Sequence, residues 1–255
     1  MSILVVHVTG KPAPSLGFDD ALREFQMQYI GRTLRRLTCL PLLAASAVAG
    51  VGCESAAELR SRGIDAMKMG HVPEADRSLT RSEQLDPSSW RTQYWLGKVR
   101  LAQERWADAQ RYLEQAYVLR NSHDETPDIV DGIAEAMYQQ RLDMNLRGLL
   151  ARATQRYGTS YDFVRQGRYL VRIDDPDNAK IALRKAARIA DEDDPTPYLA
   201  MAEMYELIGN RKAAIKALRQ AHGIAPDDSN IRKRLRSYGI VPGPTAALPP
   251  DRDDQ

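Results

Sequence analysis

The chain holds 255 residues, with 36 Lys and Arg against 34 Asp and Glu, so its net charge of +2 gives no electrostatic argument for nucleic acid. Four His and two Cys, none paired at ligand spacing, exclude a disulfide framework and give no metal site. No Gly-rich loop of the phosphate-cradling kind occurs, and no cofactor is expected.

The chain opens on 1–26, which is followed by Met27, then by Arg32, Arg35 and Arg36 and an uncharged stretch, 37–52. A basic segment, a short apolar core and small residues before a cut site make a secretory signal. The apolar run is shorter than the roughly 20 residues that span a bilayer. Signals open near a chain start, so Met27 is the favoured true start and 1–26 a misassigned extension; the signal is then 27–52. Its end, Ala49-Gly50-Val51-Gly52-Cys53, resembles a bacterial lipoprotein signal, with Gly50 where Leu is usual. That resemblance implies lipidation of Cys53. An ordinary cleaved signal, or an uncleaved anchor or internal helix, are the other readings. Cys39 falls within the signal, and the residues from 53 onward are balanced in charge. Glu54 after the Cys lacks the Asp that retains some lipoproteins at the inner membrane. The expected address is therefore the cell envelope, with the outer membrane favoured.

From residue 53 to 240 a spacing recurs five times. A small residue is followed after 12 positions by Ala or Leu, then Leu, then Ala or Ser: Gly63/Ala75/Leu79/Ser82, Gly97/Ala109/Leu113/Ala116, Ala134/Leu146/Leu150/Ala153, Gly167/Ala179/Leu183/Ala186 and Ala202/Ala214/Leu218/Ala221. Leading residues 33 to 37 apart mean stacked supersecondary units. Within each unit apolar residues recur at helical steps, and breakers such as Gly70 and Gly209 divide two helices. Pro73 and Pro176 suit the first turns of second helices, and Asp175 and Asn210 suit N-caps. A glycine within a helix costs about 1 kcal/mol relative to Ala, so Gly63, Gly97 and Gly167 are expected where two helices approach closely. Trp90, Trp95 and Trp106 are expected to pack between the first two units. Ile231 and Leu235, among Arg and Lys, predict one more amphipathic helix with a polar outer face. Residues 241–255, rich in Pro, Gly and Asp, read as a disordered tail.

These residues resemble the tetratricopeptide repeat family. The fifth unit fits best, through Tyr198, Ala202, Tyr205, Ala214, Leu218, Ala221 and Pro226; the third is weakest, with Leu146 for the Ala. The resemblance implies an all-α fold: a right-handed α-solenoid of about five helix pairs plus a C-terminal capping helix. It also implies that binding, and not catalysis, is the default, through a concave groove lined by the first helices. Carried over position by position, the groove holds Arg60, Ile64 and Lys68; Arg91, Tyr94, Lys98 and Leu101; Asp131, Glu135 and Tyr138; Tyr161, Val164, Arg168 and Arg172; and Leu199, Glu203 and Glu206. Tyr and Arg together suit a protein partner or an extended peptide. No Asn stands in this set, which speaks against the clamp by which some relatives hold a terminal carboxylate. The expected protein is a membrane-tethered interaction scaffold of the bacterial envelope, without nucleic acid as a partner. A soluble exported adaptor is the alternative. A hidden enzyme would rest on Asp131 and Glu135, whose shared helix face could raise one pKa. The histidines, His222 included, read as solvated.

Overall fold

The computed structural model describes residues 54–120 and 126–251, with side chains of the second stretch from residue 128. The extension 1–26, the signal 27–52 and Cys53 lie outside the described residues, as does most of the connection 121–127. Among the described residues there are eleven α-helices and no strand. They are α1 (Ala56–Lys68), α2 (Val72–Leu85), α3 (Trp90–Ala102), α4 (Trp106–Leu119), α5 (Thr126–Gln139), α6 (Asp143–Arg156), α7 (Ser160–Arg172), α8 (Pro176–Ile189), α9 (Thr196–Leu207), α10 (Arg211–Ile224) and α11 (Ser229–Ser237). None is long and apolar enough to cross a membrane.

Consecutive helices pair, and the pairs stack as an α-solenoid. Ser55, Ser89 and Thr159 cap the first helices α1, α3 and α7, with reciprocal capping boxes at Ser55–Glu58 and Thr159–Asp162. Asp175 and Asn210 cap α8 and α10, as expected. The leading glycines do what their spacing requires. A Cβ built on Gly63, Gly97 or Gly167 would lie 2.5 Å from Cγ of Leu79, Leu113 or Leu183. Each of those leucines is fully buried, a gain of about 1.5–3 kcal/mol over exposure.

The turn inside each unit places one residue in left-handed backbone: Gly70 (φ +78°), Glu104 (+58°), Arg141 (+60°), Asp174 (+60°) and Gly209 (+73°). These positions repeat at the intervals of the leading small residues.

The third pair departs from the pattern. α5 packs more extensively on α4 than on its own partner α6. Ala134 and Leu146 add bulk between α5 and α6, where other units have Gly or Ala. Gly132 meanwhile lets α5 close on α4, since its Cβ would lie 2.7 Å from Leu113 Cδ1. Trp90 and Tyr94 follow that contact and pack in the cluster of Leu113, Ile129 and Ile133, between the second and third units. Trp95 alone of the three tryptophans packs in the cluster of the first two units, which corrects the expectation for Trp90.

Ile231 and Leu235 of α11 are fully buried against the fifth unit. Of the tail 241–255 read as disordered, residues 252–255 lie outside the described residues, and 241–251 are held against the fifth unit. A short 3₁₀ turn at Pro244–Ala246 buries Ala246, and the chain then runs back along α10. The segment's Pro and Gly suggested disorder because they do not continue a helix; hydrogen bonds to its backbone hold it without one.

Candidate partner-binding face

Successive first helices touch one another across units, whereas successive second helices make no comparable contact among the described residues. The first-helix face is therefore the inner one, and it carries the residues carried over for the groove.

Its second half is closed by ion pairs between units. On α5, Asp131, Glu135 and Tyr138 share one face; on α7, Tyr161, Arg165, Arg168 and Arg172 do. Asp131 accepts hydrogen bonds from the Tyr161 hydroxyl and from Arg165 Nε. Arg165 also reaches Asp162 Oδ1 at 2.7 Å, and both of those side chains are 3% exposed. Glu135 accepts from Tyr169 at 3.0 Å and from Arg172 at 2.8 and 3.3 Å, a bidentate pair. The Arg172 guanidinium lies 3.8 Å from the Tyr138 ring centroid. Arg168 pairs with Glu203 on α9 at 3.1 Å, and Glu206 accepts from Arg234 at 2.9 Å and from Tyr238 at 2.8 Å on and just after α11.

Burial raises the pKa of Glu135, but hydrogen bonds from Arg172, Gln139 and Tyr169 outweigh it and hold the carboxyl below its ordinary value. An acid or base poised near neutrality needs the opposite shift, so the sequence-based pairing of Asp131 with Glu135 becomes two separate ion pairs. Burial, with Asp131 as hydrogen-bond acceptor, pushes the Tyr161 hydroxyl up to about 12.

The first half of the face is open. Lys68 and Lys98 make no ion pair among the described residues. Arg60 donates to Ser89 Oγ at 3.1 Å, and Arg91 lies 4.8 Å from the Trp90 ring centroid, so neither cation is matched by an acid. α3 contains no acidic residue at all. Tyr94, half-buried, meets Trp95 edge to face with centroids 5.5 Å apart.

Arg165 and Tyr169 were missed in the sequence reading. Both lie a helical step from Tyr161 and Arg172, which is the signal that could have found them. Val164, placed in the groove, is buried, and its neighbour Arg165 reaches α5 instead, at Asp131. His222, read as solvated, is buried beside Ala221 and next to Gly223, where the returning chain crosses α10. Among the described residues no group of three or more His, Cys, Asp or Glu is placed to hold a metal ion.

The tetratricopeptide repeat profile matches residues 195–228, the fifth unit. No curated protein matches the chain in sequence. Solved structures do match in fold. A thermophilic tetratricopeptide protein of Thermus thermophilus superposes with a TM-score of 0.52 at 19% identity, over 72% of this chain and 98% of that one. MamA gives 0.52 at 18%, over 74% and 98%. A chain of the APC/C hetero-tetramer Cut9–Hcn1 gives 0.53 at 15%, over 72% of this chain and 36% of that one. The fifth unit thus matches the tetratricopeptide repeat, and the chain has the fold of these structures, an α-solenoid of helix pairs.

Proposed function

We propose that the chain is a protein-interaction scaffold that holds an anionic segment of a partner against the inner face of its first two units. The observation that carries this reading is the division of that face. From α5 onward its charges satisfy one another, while α1 and α3 present Arg60, Lys68, Arg91 and Lys98 without an acidic match. Cations left open beside Tyr94 and Ile64 suit carboxylates flanked by apolar or aromatic side chains. The assembly in which Cut9 and Hcn1 meet is one case of this fold in a protein complex. Lipidated Cys53 would tether the scaffold to an envelope membrane, the outer one favoured. One acyl chain anchors weakly, so stable attachment needs more than one.

A photo-cross-linking residue at Ile64 should capture a partner in envelope membranes, and Lys68→Glu with Lys98→Glu should abolish the product. The same residue at Tyr161, in the closed half, should capture nothing. Cross-linking indifferent to the charge reversal would overturn the groove reading. A Cys53→Ala chain that still sediments with membranes would overturn the lipid tether and favour an uncleaved anchor, whereas an unaltered chain found free of membranes would favour the exported adaptor.

A further inference from the structure

We propose a second binding site, on the outer face between α8 and α10, for an extended, proline-containing acidic segment of a partner; residues 241–251 occupy part of it in cis. The returning chain is held almost entirely through its backbone. Arg219 donates to the Ala246 carbonyl at 2.8 Å and the Thr245 carbonyl at 3.2 Å, Leu248 N–H donates to the Arg219 carbonyl at 3.0 Å, and Gln220 reaches the Pro249 carbonyl at 3.4 Å. Such contacts read an extended chain and are indifferent to most of its side chains. Gly223 forms the notch in which it lies: a Cβ there would sit 2.3 Å from the Leu248 carbonyl oxygen. A glycine inside a helix weakens it, so the notch is a cost set against this approach.

The segment ends at a cleft of about 280 Å³ between α8 and α10, floored by Tyr198 and Met201. Arg184, Arg188 and Lys216 line it, and Asp251 is its one acid among the described residues, bonded to Lys216 at 2.5 Å. Ile181 at its rim is 66% exposed. Among the described residues the cleft thus offers Arg184, Arg188, Lys216 and an apolar wall to one carboxylate, which bonds Lys216 and lies in the field of Arg184. The segment itself is lightly held, since Ala246 is its one buried residue and Val241 is 84% exposed. A partner that continues the same chemistry deeper into the cleft displaces it.

The test uses the full chain and a labelled peptide of residues 241–251. A tethered segment competes at a local concentration of about 1 mM, so for a peptide binding near ~0.1 mM its release raises apparent affinity about tenfold. Ala246→Arg with Asp251→Lys, at unchanged helical circular dichroism, should release the segment and bind the peptide about tenfold more tightly than the unaltered chain. Adding Gly223→Val or Lys216→Glu should remove that binding, and an Asp251→Asn peptide should bind several-fold more weakly. In the unaltered chain, excess peptide should speed hydrogen exchange of the Leu248 amide. Equal affinity for released and unaltered chains, or Leu248 exchange unmoved by bound peptide, would overturn the proposal.

Discussion

Arg141→Gly should stabilise the protein although it removes a side chain and adds no contact. Arg141 stands at φ +60°, in the turn between α5 and α6, and its side chain is exposed and makes no hydrogen bond or ion pair among the described residues. Left-handed backbone costs an L-residue about 1–2 kcal/mol. Glycine avoids that cost but orders a freer chain on folding, an offset of about 0.5–1 kcal/mol. The net gain is about 0.5–1 kcal/mol, or roughly 1–4 °C in Tm for a domain of this size. Glu104→Gly should give the same, and Asp174→Gly less, because Asp tolerates this conformation better. The reverse change is equally informative. Gly209→Ala should destabilise by about 1 kcal/mol, and steric clash has no part in it, since nothing lies within 4 Å of the added Cβ. The assay is urea unfolding followed by circular dichroism, comparing midpoints at constant slope. A lower midpoint for Arg141→Gly, or an unchanged one for Gly209→Ala, would refute the reasoning.

Gly167→Ala drives a methyl into Leu183 and should lower stability by about 1–3 kcal/mol in the same assay; an unchanged midpoint would mean that the glycine does not set the helix spacing. Arg165→Ala removes the cation from Asp162, whose carboxylate is 3% exposed and keeps only its Thr159 bonds among the described residues, and should cost about 3–5 kcal/mol, whereas Asp162→Asn with Arg165→Met should recover much of it. Glu135 is more acidic folded than unfolded, so its contribution is complete above its ordinary pKa of 4.5 and is lost as pH falls below that value. Glu135→Gln should therefore lose less Tm than the parent between pH 7 and pH 3.5, and parallel losses would show that the Arg172 pair does not act this way.

The helix pairs were legible because their signal is local. The spacing from Gly97 to Leu113 encodes one contact, repeated, and the turns and the caps at Asp175 and Asn210 follow from single residues. The inner face was half legible. The family pattern named the right positions, but which charges meet depends on how one unit is rotated against the next. That rotation is set by contacts such as Gly132 on Leu113, which no single unit contains. Arg165 was lost for this reason and Val164 wrongly placed. Residues 241–251 were misread because Pro and Gly report only that a helix does not continue, while the segment is fixed by hydrogen bonds between its backbone and Arg219 and Gln220.

The charges along the inner face also fix the order in which the units can stand. Asp131 and Glu135 on α5 require the Tyr161, Arg165 and Arg172 that α7 supplies; Arg168 on α7 requires Glu203; Glu206 requires Arg234. Excising the fourth unit would bring two carboxylates of α5 against Glu203 and Glu206 of α9, acid facing acid. Repeats built from one template are usually interchangeable, as they stack through the same apolar contacts. Here the third, fourth and fifth behave as words in a sentence, each meaningful only beside its own neighbour.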